Sequence, residues 1–240
     1  MTMLSRRTLA GATLVALALV GPAYAGVTIT TLSGGWQASW DSALDPFVDL
    51  NDHGVVNGAL FLEKSAQFTQ GPVNGVFPSI DITFTQVSAN AVANIVLDDE
   101  IITNSTGSPW TDFHMDLLGN SNVAFDPIAT AASGGFSVSP FASSSFTNAN
   151  QTFNAFNGVV PSGTTWFPGA ASGQLWIHVN NISPTSGITF TLSERPTPTP
   201  GVLGLLTVGL VCGPSDLEAC RRWFVAAVAS IASSGPGAAR

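Results

Sequence analysis

The chain has 240 residues, of which 45% are hydrophobic and only 9% are charged, and its formal net charge is −8. Between Gly26 and Pro200, thirteen acidic residues stand against two basic ones, a net charge of −11 that would repel a polyanion and excludes nucleic-acid binding. The same segment is long enough for one domain with its own core, and it contains no cysteine, which excludes disulfides within it.

The first 25 residues have the pattern of a secretory signal peptide. Arg6 and Arg7 precede an apolar run at 9–20, and the stretch ends in Ala23-Tyr24-Ala25. Small residues at Ala23 and Ala25 are typical of a cleavage site, which predicts a mature chain beginning at Gly26. The apolar run of about 12 residues is too short to span roughly 30 Å of hydrocarbon as a helix. The paired arginines fit twin-arginine export as well as general secretion, and both routes stay open.

Alternation of apolar and polar residues predicts strands through the mature region. In segment 80–85, Ile80, Ile82 and Phe84 share one face and polar side chains occupy the other. The same period recurs at 93–97, 111–117, 175–179 and 188–192, and segments 59–68 and 134–138 are weaker candidates. A helical period is not sustained over three turns anywhere in this region. We therefore predict an all-β fold over residues 26–194, an antiparallel, jelly-roll-like β-sandwich of about eight to ten strands.

One segment of the predicted domain, 133–157, is rich in Ser, Asn and Thr but also in phenylalanine. Its aromatic content is too high for a disordered segment, because buried phenylalanines can offset the entropy lost on ordering. We expect a hairpin or long loop that its phenylalanines pin to the core.

Two further segments follow the predicted domain. Residues 195–201 carry a proline at every second position from 196 to 200, which predicts a stiff spacer that ends the sheet. Residues 202–240 form a tail that begins with an apolar run at 202–211. A helix of this run would be only about 15 Å long. A C-terminal helix packed on the domain is the alternative to a sorting tail.

Pro198 and Pro200 with the apolar run after them resemble the C-terminal motif of PEP-CTERM exported proteins. In that family, a Pro-x-Pro motif, an apolar helix and terminal arginines follow a signal-bearing ectodomain. The tail departs from that pattern after Val211, where 212–218 interrupt the apolar run and Arg221 and Arg222 come late. The resemblance implies a membrane-retained sorting signal that an exosortase-type transpeptidase cuts. It also implies that the protein interacts with export and sorting machinery and that exopolysaccharide surrounds it.

The sharpest local arrangement of polar residues is Asp112, His114 and Asp116 on one face of a predicted strand. Neighbours two positions apart lie about 7 Å from each other, so His114 and one aspartate can share a cation, whereas the two aspartates cannot. A solvent-facing strand is the alternative interpretation. His178 has the same setting on another strand, and a site of two histidines and an aspartate requires those strands to be neighbours.

A second candidate for a metal site is an acidic loop predicted around Asp45, Asp49, Asn51 and Asp52, ending at Gly54. It weakly resembles a calcium loop, but Leu60 stands where an EF-hand has its bidentate glutamate. An ordinary turn capped by its own Asp and Asn side chains is the alternative. The run 98–100, Asp-Asp-Glu, is expected to be a solvated loop.

The sequence shows no catalytic motif. Ser33 lacks the upstream glycine of a nucleophile elbow, and the domain offers no cysteine nucleophile. No cofactor is expected, with calcium as the one open possibility. The sequence thus predicts a non-enzymatic exported protein of the cell surface or extracellular matrix, with polysaccharide or matrix material as partner and the membrane contacted only through the tail. The alternatives are a secreted glycan hydrolase with paired carboxylates and a calcium-stabilised adhesion module.

Overall fold

The computed structural model describes residues 26–170, 172–183 and 187–198. Within them the chain forms thirteen strands and one short helix. In chain order the elements are β1 Val27–Thr31, β2 Trp36–Asp41, β3 Val48–Val56, β4 Ala59–Phe68, β5 Ile80–Gln86, β6 Asn94–Asn104, β7 Trp110–Leu118, β8 Val123–Phe125, α1 Pro127–Ala132, β9 Ser143–Thr147, β10 Thr152–Phe156, β11 Thr164–Trp166, β12 Leu175–Val179 and β13 Thr189–Pro198.

The strands form two sheets that pack together as a β-sandwich, which confirms the predicted all-β class. The seven-stranded sheet has the order β1-β2-β5-β13-β7-β10-β9, and the six-stranded sheet has the order β3-β4-β6-β12-β8 with β11 added beside β6. Every pair is antiparallel except β4 and β6, which run parallel. This parallel pair departs from the purely antiparallel prediction, because the chain visits the other sheet through β5 between these two strands.

The core between the sheets is rich in aromatic side chains. From the seven-stranded sheet, Phe84 and Phe190 are fully buried and stack with their ring centroids 5.2 Å apart. Phe113 packs edge-on against Trp166 at 5.0 Å. Such pairs are worth about 0.5–1.5 kcal/mol each beyond their buried area. Aromatic packing therefore contributes to the stability of a domain that lacks cysteine.

All five segments with clear alternation form strands, and segment 59–68 does as well. Segment 134–138 forms no strand, although Phe136 and Val138 are buried. The hairpin predicted within 133–157 is confirmed as β9 and β10, with Phe141 and Phe153 buried.

The acidic loop predicted around Asp49 and Asp52 is wrong, because these residues belong to strand β3. Val48 and Leu50 alternate into the core, as the strand period requires. Gly54, which suggested a turn, lies in a β-bulge of β3 instead. His53 is the extra residue of this bulge, and Gly54 has φ of 87°.

The last strand runs further than the sequence predicted. β13 continues to Pro198, and Arg195, Pro196 and Thr197 pair with β7. The pairing with β5 ends at Glu194, so the strand has a free edge from that point on, and a missing proline N–H is tolerated there. The predicted signal peptide, the last residues 199–201 of the predicted spacer and the predicted tail 202–240 lie outside the described residues. Within the described part of the chain, no helix combines the length and the apolar character that a membrane crossing needs.

One close backbone approach joins two loops of the six-stranded side. Gly173 has φ of 76°, and a Cβ on it would overlap the backbone carbonyl of Gly135. Nearby, the Ser137 amide donates to the Ser172 carbonyl at 3.1 Å, and the Gly169 amide donates to the Ser137 carbonyl at 2.8 Å. Only glycine fits this junction.

We predict that Gly173→Ala destabilises the domain more than Gly75→Ala, by about 2 kcal/mol or more. Gly75 is the matched control, because its φ is 80° but a Cβ there would meet no atom within 4 Å. Both substitutions carry the same backbone strain, and only the first also forces the loops apart. Urea unfolding of the two variants measures the difference, and equal midpoints would contradict the loop packing.

Candidate functional site

The chain has one lysine, Lys64, and it lies in the core. Strand β4 alternates, and its inward positions 60, 62, 64, 66 and 68 are all buried. Four of the five inward residues are apolar, so the lysine takes the place of a hydrophobic side chain at 0% exposure. A buried ammonium group is strongly unfavourable unless anions compensate it.

Two glutamates provide that compensation, one from each sheet. The Lys64 Nζ atom lies 2.6 Å from Glu194 Oε2, on β13 of the opposite sheet. It also lies 3.4 Å from Glu100 Oε1, on the neighbouring strand β6. All three side chains are at most 1% exposed. We call Lys64, Glu100 and Glu194 the buried cluster.

A β-bulge in β6 turns Glu100 toward the core. Leu62 pairs with Leu97, but Glu63 pairs with Asp99, so Asp98 is an extra residue without a partner on β4. After the bulge the alternation of β6 is shifted by one, which brings Glu100 opposite Lys64. Without the shift, Asp99 would take the inward position.

Burial is the largest single influence on the pKa values of Glu100 and Lys64. It raises the pKa of the Glu100 carboxyl from 4.5 to about 8, against the opposing charge of Lys64 and with the help of the charge of Glu194. For Lys64, burial acts to lower the pKa, but the charges of Glu100 and Glu194 and the hydrogen bond to Glu194 outweigh burial and raise it. With Glu100 protonated, one carboxylate balances one ammonium and the cluster is neutral.

The cluster leaves several oxygens without hydrogen bonds. Among the described residues, nothing donates a hydrogen bond to either Glu100 oxygen or to Glu194 Oε1. Each unsatisfied buried acceptor costs about 1–3 kcal/mol. Such orphaned groups are unusual in a well-packed core and call for a chemical explanation.

A polar cleft lies on the outer side of the six-stranded sheet. It has a volume of about 490 Å³ and is lined mainly by polar side chains, with glycines at its rim. His53 lies between two carboxylates, with Nδ1 3.4 Å from Asp98 Oδ2 and Nε2 3.8 Å from Glu63 Oε2. Gln174 Nε2 lies within hydrogen-bonding distance, 3.4 Å, of Asp98 Oδ1. His53 thus links the carboxylates of Glu63 and Asp98 at the cleft.

Two aromatic side chains lie two residues along the strands from the cleft, in the next outward-facing row. Phe61 and Trp176 both pair with Val96, from opposite sides of strand β6. Their rings meet edge-on at 6.2 Å, and both side chains are half-buried. An aromatic surface beside hydrogen-bonding groups is typical of sites for small polar ligands such as sugars.

The condition for a site of two histidines and an aspartate, that the strands of His114 and His178 be neighbours, is not met. His114 lies on β7 and His178 on β12, and these strands belong to different sheets. Both His114 ring nitrogens have partners, Asn154 Oδ1 at 2.6 Å and Thr197 Oγ1 at 2.9 Å. Asp112 lies beside it on the same strand and is half-buried.

The other predicted metal candidates are Asp49 and Asp52. Asp49 is exposed on β3. Asp52 accepts hydrogen bonds from the backbone amides of Ser33 and Gly54, which fixes the bulge. Across the described residues, no group of three potential ligands is arranged to hold a metal ion. Stabilisation by calcium stays a prediction.

Sequence analysis missed the buried cluster. The run 98–100 was expected to be a solvated loop, and this is wrong, because it lies within β6 and Glu100 is fully buried. One signal was available: Lys64 falls on the apolar phase of a strand. A lone cation at an inward position requires buried acidic partners.

Comparison with known proteins gives no match to a family model, to a curated protein or to a solved structure.

The raised pKa of Glu100 predicts how stability depends on pH. The folded state keeps the Glu100 proton up to about pH 8, whereas the unfolded chain releases it near 4.5. The folded state therefore binds more protons between these values, and the free energy of unfolding falls as pH rises through them. Urea unfolding at a series of pH values measures this slope.

The control for this prediction is Glu100→Gln, which keeps the side-chain shape but does not titrate. Subtracting its curve from that of the wild type removes the contribution of the groups outside the buried cluster. Parallel curves for the two proteins would show that Glu100 does not titrate in this range.

Proposed function

We propose that this chain is an exported, non-enzymatic protein of the cell surface or extracellular matrix whose β-sandwich binds polysaccharide in the cleft of Asp98 and Gln174. The observation that carries the proposal is the cleft itself, with carboxylate and amide groups beside the aromatic pair. Carboxylates accept hydrogen bonds from sugar hydroxyls, and aromatic edges and faces contact the apolar side of a sugar ring.

The charge of the cleft indicates which class of polysaccharide it can bind. Glu63, Asp98 and Asp99 all line the cleft, and His53 is the one basic residue among the described residues that line it. These carboxylates would repel an acidic polymer, whereas a neutral polymer would bind without electrostatic repulsion. We therefore propose a neutral polysaccharide as the ligand.

Export and sorting rest on the two ends of the chain. The A-x-A site at Ala23 and Ala25 supports release of the signal peptide, and Pro198 and Pro200 support a tail of the PEP-CTERM type. Retention by such a tail would keep the domain in contact with secreted polysaccharide at the cell envelope.

Binding is tested with Asp98→Ala combined with Gln174→Ala. We expect about thirtyfold weaker binding to neutral extracellular polysaccharide of the producing cells, since two groups are removed and each lost hydrogen bond is worth about 1 kcal/mol. Affinity electrophoresis of the mature protein measures this change. The matched control is Asp112→Ala, which removes an aspartate from the opposite sheet and should bind as the wild type does. Equal binding by all three proteins would refute the cleft as the site.

Export is tested by intact mass and cell fractionation of the natively expressed protein. We expect a membrane-bound form that begins at Gly26 and a later, shorter species cut near Pro200. A single soluble species that retains Arg240 would contradict a working sorting tail.

A further inference from the structure

In the buried cluster, an amine and a carboxyl group lie in direct contact, as two reactants must. Nζ of Lys64 and Oε2 of Glu194 are 2.6 Å apart. The carbon Cδ lies one bond beyond this oxygen, so Nζ is held close to the carbon that an amide bond would join it to. Packing on both sheets holds the two side chains in this contact.

Water is excluded from this contact. Lys64 and Glu100 are fully buried, and Glu194 is 1% exposed. An amine and a carboxylic acid condense with loss of water, and in bulk solvent the reverse hydrolysis prevails. In a dry site the released water leaves and hydrolysis has no reactant, which favours the condensed product.

A third group is present that can move protons. Glu100 Oε1 lies 3.4 Å from Nζ, and neither of its oxygens is engaged by another donor in the described part of the chain. Burial and the nearby charge of Glu194 keep Glu100 protonated at neutral pH. A positioned carboxylic acid of this kind is a general acid for attack at a carbonyl carbon.

We propose that Lys64 and Glu194 form an intramolecular amide bond between Nζ and Cδ, joining the two sheets covalently, with Glu100 as the catalytic proton-transfer residue. The bond would connect β4 to β13, two residues that lie 130 positions apart in the chain. It is a modification that the folded domain carries out on itself.

The reaction begins with a proton moving from the Lys64 ammonium to the Glu194 carboxylate along the 2.6 Å hydrogen bond. The lone pair of the neutral amine then attacks Cδ, the N–C bond forms, and the carbonyl electron pair moves to oxygen, which takes the Glu100 proton. Glu100 next removes a proton from the nitrogen and returns a proton to the leaving hydroxyl group. The C–O bond breaks, one water molecule departs, and the remaining hydroxyl group returns its proton to Glu100 as the carbonyl re-forms. No oxidation or reduction occurs, and Glu100 ends protonated, as it began.

An amide bond between Lys64 and Glu194 accounts for features of the buried cluster that an ion pair does not explain. The amide replaces one buried ammonium and one buried carboxylate by a neutral group, which removes the cost of keeping both charges out of water. One Glu194 oxygen leaves as water, and the remaining N–H faces Glu100, which otherwise lacks a donor. The bond also gives a cysteine-free exported domain the long-range covalent link that disulfides supply elsewhere.

Glu194 is favoured over Glu100 as the acceptor of the amide bond. Its oxygen is nearer to Nζ, at 2.6 Å against 3.4 Å. Glu100 lies on the strand adjacent to Lys64, in the same sheet, and its oxygens remain free to exchange protons.

The single lysine makes the test direct. A protease specific for lysyl bonds has one cleavage point in the chain, and it does not cut after a lysine whose ε-amine is acylated. We expect the natively exported protein, denatured before digestion, to resist cleavage at Lys64. We also expect its intact mass to be lower than the mass of its own sequence by one water molecule.

Two variants separate the roles of the glutamates. Glu194→Ala removes the acceptor carbon, and Glu100→Gln removes the acid while preserving its shape. Both variants should be cut after Lys64 and should show no loss of water. Fragmentation of a wild-type digest made with a protease of other specificity should yield a branched peptide in which Lys64 is joined to Glu194.

Cleavage of the denatured wild-type protein after Lys64, with its full unmodified mass, overturns the proposal whether or not either variant folds. A branch at Glu100 overturns the assignment of the acceptor, and a cross-linked Glu100→Gln protein overturns the role of Glu100. Binding of polysaccharide in the outer cleft does not depend on any of these outcomes.

Discussion

The structure is organised around the burial of one charge. Lys64 lies between two sheets with no access to water, and a buried ammonium is tolerated only where acidic groups surround it. One of its acidic partners is on the strand beside it and the other is on the opposite sheet. This requirement sets the register of β4 against β6 and the position of β13 above both. If any of the three strands shifted by one residue, the Lys64 ammonium would lie in an apolar core without a carboxylate partner.

The same bulge serves the core and the surface. Because Asp98 is inserted in β6, Glu100 turns inward to Lys64, while Asp98 and Asp99 line the outer cleft. Bulges are known devices for redirecting side chains near functional sites. The proposed polysaccharide cleft and the proposed cross-link thus occupy opposite faces of one short segment. An amide bond there would also hold rigid the strands that carry the cleft.

The strands that sequence analysis predicted are those with uninterrupted alternation. Ile80 to Phe84 and Leu175 to Val179 keep one phase throughout, so period alone identifies them. Strand β3 was missed because the bulge at His53 and Gly54 imitates a turn. The run 98–100 was misassigned for the same reason, since the bulge at Asp98 moves Glu100 to the buried phase. Whether a residue belongs to a bulge or to a loop depends on how its segment pairs with a neighbouring strand. The local sequence pattern carries no information about that neighbouring strand. The cleft also depends on four segments that are far apart in sequence, so no motif could indicate it.

The central claim is that Lys64 and Glu194 join the two sheets through a covalent bond, and a high-resolution crystal structure of the exported protein tests it most directly. The account predicts continuous electron density between Lys64 Nζ and Glu194 Cδ, planar and with the C–N length of about 1.33 Å that an amide requires. Separate side chains with two complete Glu194 carboxylate oxygens and a hydrogen bond between Nζ and Oε2 would contradict it.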